Sequence, residues 1–294
     1  MAAKDITEKL LEDYNEVFAD IVNVILFDGE QIVDKNDLRA KTPISQYKVD
    51  QDKLHEQERD VLKEWVSGNV EIAICGLENQ TKAEKLMPLR VIGYDGSAYR
   101  MQLLDKNRKK YVPVITIVLH FGNDRWNQPK TLKGVIDIPV KLDGYVNDYR
   151  INVVDVAFLS EEQLEMFTSD FKIIAKFFVS RRKNKDYVPD DPTVIRHVDE
   201  VLKLLSVMTG DHRYEEILKD SKNESGVHTM CDVAERLETK GRMEGRIEGR
   251  MEGRIEGIAE KALQVYNNCI DRGMSKEDAV AISGYNPKAA KTTE

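Results

Sequence analysis

Between Val112 and Phe121 the chain reads Val-Pro-Val-Ile-Thr-Ile-Val-Leu-His-Phe, about ten residues nearly unbroken in apolarity. So short a run, so rich in Val and Ile, reads as a strand buried on both faces of a sheet. Both faces then need a covering layer, which directs the chain toward an α/β architecture. Ten residues are also far fewer than the roughly 18 to 20 that cross a bilayer, so no membrane role is expected. Ile151 to Phe158 reads as a second buried strand.

The remaining elements fall around these two. From Ile6 to Phe27, apolar residues such as Leu10, Tyr14, Val17, Phe18, Ile21 and Ile25 recur at three and four, as in an amphipathic helix, and Asp28-Gly29 ends it. Asp60 to Val66 and Val70 to Leu77 flank Ser67-Gly68-Asn69 as a hairpin. Thr81 to Leu104 reads as helical, with Pro88 tolerable only near a first turn. Ser160 with Gln163 forms a capping box for a helix to about Arg181, and another helix covers Thr193 to Met208 before Gly210. Helix, hairpin, helix, strand, strand, helix is an α/β fold with a mixed sheet. The expected organisation is a folded domain over 1–212, a helical connector over 213–240, a repeat over 241–257 and a helical tail over 258–294.

The repeat runs Gly-Arg-Met/Ile-Glu from Gly241 to Gly257. Four residues advance a helix by roughly 400°, so each residue type draws its own stripe. Arg and Glu stand two or six apart, never three or four, so the repeat makes no internal ion pairs, and each glycine weakens a helix by roughly 1 kcal/mol. Two readings follow: a flexible charged linker, or a helix stabilised against a second copy.

Charge and cysteine usage narrow the classes. With 44 Lys and Arg against 52 Asp and Glu, the net charge is −8. The global field therefore does not attract nucleic acid, and DNA contact needs local patches. Lys106-Asn107-Arg108-Lys109-Lys110 and Arg181-Arg182-Lys183-Asn184-Lys185 are candidates, each equally readable as a solvated cluster. Three widely spaced cysteines, without a C-x-x-C pair, argue against a disulfide scaffold or zinc site and for a cytoplasmic setting. Met1 to Glu12 shows no secretory apolar region.

The hairpin carries the chemistry. If Val66 pairs with Val70, Asp60 faces Gly76, and Glu78 is its diagonal neighbour on the same face, roughly 7 Å away. Two carboxylates at the end of an apolar hairpin cost desolvation and repulsion unless a cation lies between them. Hard oxygen ligands favour Mg²⁺ or Mn²⁺, which can activate water and neutralise a scissile phosphate. The plainer alternative is two solvated carboxylates at exposed strand ends. A slip of one residue would send Asp60 to the other face.

Asp60 followed about eighteen residues later by Glu78-Asn79-Gln80 resembles the PD-(D/E)xK nuclease pattern in its Gln variant. The surroundings strengthen the likeness: Arg59-Asp60-Val61, Gly76 through Thr81, Met87-Pro88-Leu89-Arg90 with Tyr94-Asp95, Tyr111 through Thr116, Phe121-Gly122 and Trp126, and an opening Asp13 to Asp20. Over about Asp13 to Met208 the chain resembles the recombination-promoting nuclease and transposase-like family of that superfamily. The resemblance implies a restriction-endonuclease-like core and metal-dependent cleavage of DNA. It implies Asp60, Glu78 and the Asn79 carbonyl as metal ligands, and Gln80 in the place of a catalytic lysine. Gln80 departs from the superfamily by donating a hydrogen bond without a charge. Arg90 and Tyr94, four apart on the next helix, read either as a phosphate-binding pair or as an Arg stem packed over a Tyr at a helix surface, and Glu16 and Asp20 either as a source of a further carboxylate or as an ordinary polar helix face. His120 reads as a core histidine. The alternative is a catalytically weak nuclease fold that binds DNA or self-assembles.

Overall fold

The computed structural model describes residues 10–41, 44–49, 53–58, 60–67, 70–185, 187–221 and 226–285. The first residues of the expected opening helix (6–9), Arg59 and the hairpin tip Gly68-Asn69 lie outside the described residues. The chain divides into two compact units, Met1–Ala234 and Glu235–Glu294.

The strands of the first unit are β1 (Leu38–Ala40), β2 (Ile44–Val49), β3 (Lys53–Glu58), β4 (Val61–Ser67), β5 (Val70–Gln80), β6 (Val114–His120) and β7 (Asn152–Asp155). Five form a sheet in the order β1-β4-β5-β6-β7, while β2 and β3 form a separate antiparallel pair. The β1–β4 and β4–β5 pairs are antiparallel, whereas β5–β6 and β6–β7 are parallel. The mixed α/β sheet is thus as expected, flanked by helices and followed by a helical C-terminal region.

Helix α2 (Met87–Leu104) makes the β5 to β6 crossover that a parallel pair requires. Its Met87, Val91 and Ala98 pack on Leu62, Ile74, Val114, Val118 and Ile151. Side chains alternate along a strand, so Lys63 points to the other face, toward helix α1 (Asn15–Phe27), with its ammonium 5.7 Å from the Phe18 ring centre. Ile117, Val118 and Leu119 of β6 are wholly buried, as the sequence run demands.

Several boundaries differ from expectation, each for a local reason. Residues Leu11–Asp13 form a single 3-10 turn, and Tyr14 is extended, so α1 starts at Asn15. α2 starts at Met87, not Thr81, because Pro88 lacks an N–H and its ring would clash with a helical turn placed before it. The expected helix from Ser160 to Arg181 is two, α3 (Glu161–Met166) and α4 (Phe171–Lys183). The Asp20 carboxylate separates them by accepting from Thr168 N, Thr168 Oγ1 and Ser169 N at 2.8–3.1 Å. The Ser160/Gln163 capping box is present. α5 (Val198–Thr209) starts five residues late, since Asp170 takes the N–H groups of Arg196 and His197, and Gly210 closes it at φ 71°. α6 (Arg213–Ser221) follows.

The 241–257 repeat is not an irregular linker: it lies within α7 (Met230–Asp271), one continuous helix of 42 residues. α8 (Lys276–Ser283) is capped by Ser275 and closed by Gly284 at φ 71°. In this second unit the Tyr266 and Tyr285 rings meet at 5.3 Å, and Cys269 and Ala279 are buried. Among the described residues no helix is long and apolar enough to cross a membrane.

Candidate functional site

The register between β4 and β5 decides where the carboxylates fall. Ser67 pairs with Val70, a bulge intervenes between Trp65 and Val66, and from there Trp65 pairs with Ala73 and Val61 with Leu77. Paired numbers in this stretch sum to 138, not the expected 136. The shift is two residues, so parity is kept, and Asp60, one residue before β4, shares a face with Gly76 and Glu78. Continued one residue past the last pair, Val61 with Leu77, this register sets Asp60 opposite Glu78.

The two carboxylates are held differently. Asp60 Oδ2 accepts from the Asn79 backbone N–H at 2.7 Å. Glu78 is buried, and its Oε1 accepts from Arg90 at 2.7 Å and from the Gln80 amide at 3.1 Å. Arg90 also donates to Glu84 (2.7 Å) and to the Tyr94 hydroxyl (3.0 Å). Burial opposes the Arg90 charge, but Glu78, Tyr94 and Glu84 together outweigh it and hold the guanidinium more firmly protonated than usual. Burial, then the Glu78 charge, pushes the Tyr94 hydroxyl upward. Asp60, Glu78, Gln80, Arg90 and Tyr94 thus come together at the end of one hairpin. As a phosphate-binding pair Arg90 and Tyr94 would await a phosphate, whereas the structure turns Arg90 onto Glu78 and Glu84.

A third carboxylate at this strand end escaped the sequence reading. Glu12 is fully buried, and its Oε1 accepts from the Asn79 side-chain amide at 3.0 Å. Asn79 alternates to the face opposite Glu78, so Glu12 meets the strand on that other face. Burial pushes its carboxyl up to about 7, against hydrogen bonds from its backbone and Asn79 and with a contribution from Asp60. Glu12 Oε2 and Asn79 Oδ1 are buried and accept no hydrogen bond among the described groups. The candidate helix carboxylates are elsewhere: Glu16 pairs with His197 at 3.2 Å, and Asp20 divides α3 from α4. Glu12 was hidden because an apolar period continuing from Ile6 masks the 3-10 turn that points it inward.

Asp60 and Glu78 offer only hard oxygen, the donor type that Mg²⁺ and Mn²⁺ take. Among the described residues, however, no three His, Cys, Asp or Glu side chains are spaced to hold an ion as they stand. His120 is buried, as expected of a core histidine; its Nδ1 lies 2.8 Å from Asp155, and its ring meets Trp126 edge-on.

The basic clusters differ. Lys106, Lys109 and Lys110 are exposed, while Arg108 turns back to the Lys110 carbonyl. In the other cluster Arg182 donates to the Ala157 carbonyl and stacks on Phe158, Arg181 lies over Phe177, and Lys183 pairs with Glu161. Three of its cations are thus engaged within the fold.

No curated protein and no solved structure matches the chain. A family profile does match, over residues 24–205, a span that includes Asp60, Glu78, Gln80 and Arg90 and omits Glu12 and the repeat. Covering more than half of the sequence, that match places the chain in the family described as "putative transposase, YhgA-like".

Proposed function

We propose that this chain is a cytoplasmic, divalent-metal-dependent DNA endonuclease that hydrolyses phosphodiesters in a recombination or mobile-element setting. One observation carries the reading: the β4–β5 register directs Asp60 and Glu78 to one face at the end of β5, where the Asn79 N–H contacts Asp60 and Gln80 and Arg90 contact Glu78. Membership of a transposase-like family supports DNA as the partner. Asp60 and Glu78, with the Asn79 carbonyl as the resemblance implies, would hold Mg²⁺ or Mn²⁺. When bound, the ion supplies a polarised water and charge neutralisation at the scissile phosphate. The Asn79 N–H fixes the Asp60 carboxylate, Gln80 orients Glu78, and Arg90 offsets the charge of Glu78. The Arg90 side chain is 37% exposed, so a DNA phosphate can replace Glu84 as its second partner, with Tyr94 alongside. Plasmid nicking with and without Mg²⁺, in wild type and Asp60→Ala, tests the reading: nicking that needs both the metal and Asp60 supports it.

A second reading, a catalytically weak fold that binds DNA or self-assembles, is favoured by a different observation. Arg90 already sits 2.7 Å from Glu78, where a metal would otherwise neutralise it, and Gln80 brings no charge. Wild type that binds DNA yet nicks in neither Mg²⁺ nor Mn²⁺ would establish that account.

A further inference from the structure

Residues 241–261 of α7 are exposed on every side, about six turns of helix carrying five glycines. Glycine disfavours helix, and helices in proteins draw most of their stability from a packed amphipathic face, so this stretch calls for a covering partner. At 100° per residue, Met243, Ile247, Met251 and Ile255 advance by about 40° per repeat. Ile258 comes three residues later instead of four and steps back by about 60°. All five fall within a sector of about 120°, the width of the apolar face on an ordinary amphipathic helix. Each is between 56% and 66% exposed.

The charges flank this face asymmetrically. Measured from the centre of this face, the glutamates lie to one side, from about 40° at Glu244 to about 160° at Glu256, and the arginines to the other, from about 160° at Arg242 to about 40° at Arg254. The glycines occupy the back, where a Cβ at Gly245, Gly249 or Gly253 would meet nothing within 4 Å. In a parallel pair of helices each flank meets the opposite flank of its partner, whereas in an antiparallel pair like meets like. Around the middle repeats, Arg246 to Glu252, parallel pairing therefore sets arginine against glutamate, and antiparallel pairing sets arginine against arginine. Four arginines and four glutamates cancel, so the face has no net charge with which to seek an anionic lipid surface or DNA.

We propose that α7 associates in parallel and in register with a second copy of this chain through the Met243, Ile247, Met251, Ile255 and Ile258 face, with the glycines turned outward. The proposal is independent of the nuclease reading.

The test uses the full chain with exposed Cys231 replaced (Cys231→Ser) and one new cysteine, Met243→Cys or Ile255→Cys, under mild oxidation. Parallel pairing cross-links each variant to itself; cross-linking only when the two are mixed would mean an antiparallel pair and overturn the proposal. Wild type with the light-scattering mass of one chain at tens of micromolar would overturn it too, whether or not that chain sediments with anionic vesicles. Since a seam cysteine can itself weaken packing, charge gives a second measurement. R246E with R250E should weaken association at least tenfold, and adding E248R with E252R should restore it; no weakening overturns the proposal. Gly249→Ala with Gly253→Ala should preserve or tighten association, and its loss would move the interface to the glycine face and overturn the assignment.

Discussion

Asp60 and Glu78 reach one face from the two arms of a hairpin, and neither carries the fold alone: Asp60 lies before its strand, and Glu78 brings a buried carboxylate that the interior must neutralise. Asp60→Ala and Glu78→Ala should each lower metal-dependent nicking by at least about 100-fold, roughly 2.7 kcal/mol of barrier. Gln80→Ala removes the one hydrogen bond that its uncharged amide donates to the Glu78 carboxylate and should cost about tenfold. Circular dichroism and DNA binding must stay near wild type for these losses to be chemical, and an Asp60→Ala protein that nicks normally would end the metal-site assignment. Glu12 gives a different readout. Its carboxyl sits at about 7 in the folded chain against 4.5 ordinarily, so the folded state holds the proton more tightly between those values. The group therefore costs nothing below about pH 4.5 and destabilises progressively up to about pH 7, by at most about 3 kcal/mol. In metal-free melts Tm should fall from pH 5 to pH 8, and Glu12→Gln should remove that part of the fall. An identical slope in the variant would show that another group is responsible.

At the scale of elements, single polar side chains set boundaries that periodicity cannot report. Asp20 accepts from Thr168 and Ser169 across roughly 150 positions of sequence, at the break between α3 and α4 that the helical period runs straight through. Asp20→Ala leaves the buried Ser169 N–H unsatisfied and frees Thr168, and should cost about 1–3 kcal/mol in urea unfolding, with Asp20→Asn milder. An effect under about 0.5 kcal/mol would mean that water replaces the carboxylate. The sheet was legible because its signals are local: the Val and Ile density of β6 and the turn between β4 and β5. The register was legible only in parity, since the tighter Ser67–Val70 closure and the bulge at Trp65/Val66 each moved it by one residue in the same direction. Asp60 and Glu78 kept their common face by that coincidence. Glu12 was not legible, because a buried acid next to Leu11 adds nothing to an apolar pattern and its partner, Asn79, is 67 positions away. Arg90 was placed correctly beside Tyr94, yet its pairing with Glu78 depends on α2 starting at Met87, which only the position of Pro88 hinted at.

At the scale of the whole chain, a net charge of −8 leaves DNA attraction to local cations, and the exposed Lys106, Lys109 and Lys110 are better placed for it than the engaged Arg181 to Lys183. Neutralising those three lysines should lower DNA affinity and reduce the salt-dependence slope by roughly one unit for each phosphate no longer neutralised, read from binding titrations at several salt concentrations. An unchanged slope returns them to plain solvation. The division into units leads to the last expectation. Asp60, Glu78, Glu12 and the sheet core all belong to the unit Met1–Ala234, while the exposed apolar face of α7 belongs to Glu235–Glu294. A chain shortened after Lys240 should therefore keep its melting temperature and its nicking rate per chain, because it loses none of that core. It should lose association, and with it the high local concentration of a second active site that pairing supplies. At equal protein concentration the full chain should convert nicked plasmid to linear form faster than the shortened one, while first-strand nicking stays equal in both. Equal linearisation would mean that cleavage is carried out by single chains and that the repeat serves some other end, even if it pairs. A shortened chain that melts early would instead show that the first unit needs the second for its fold.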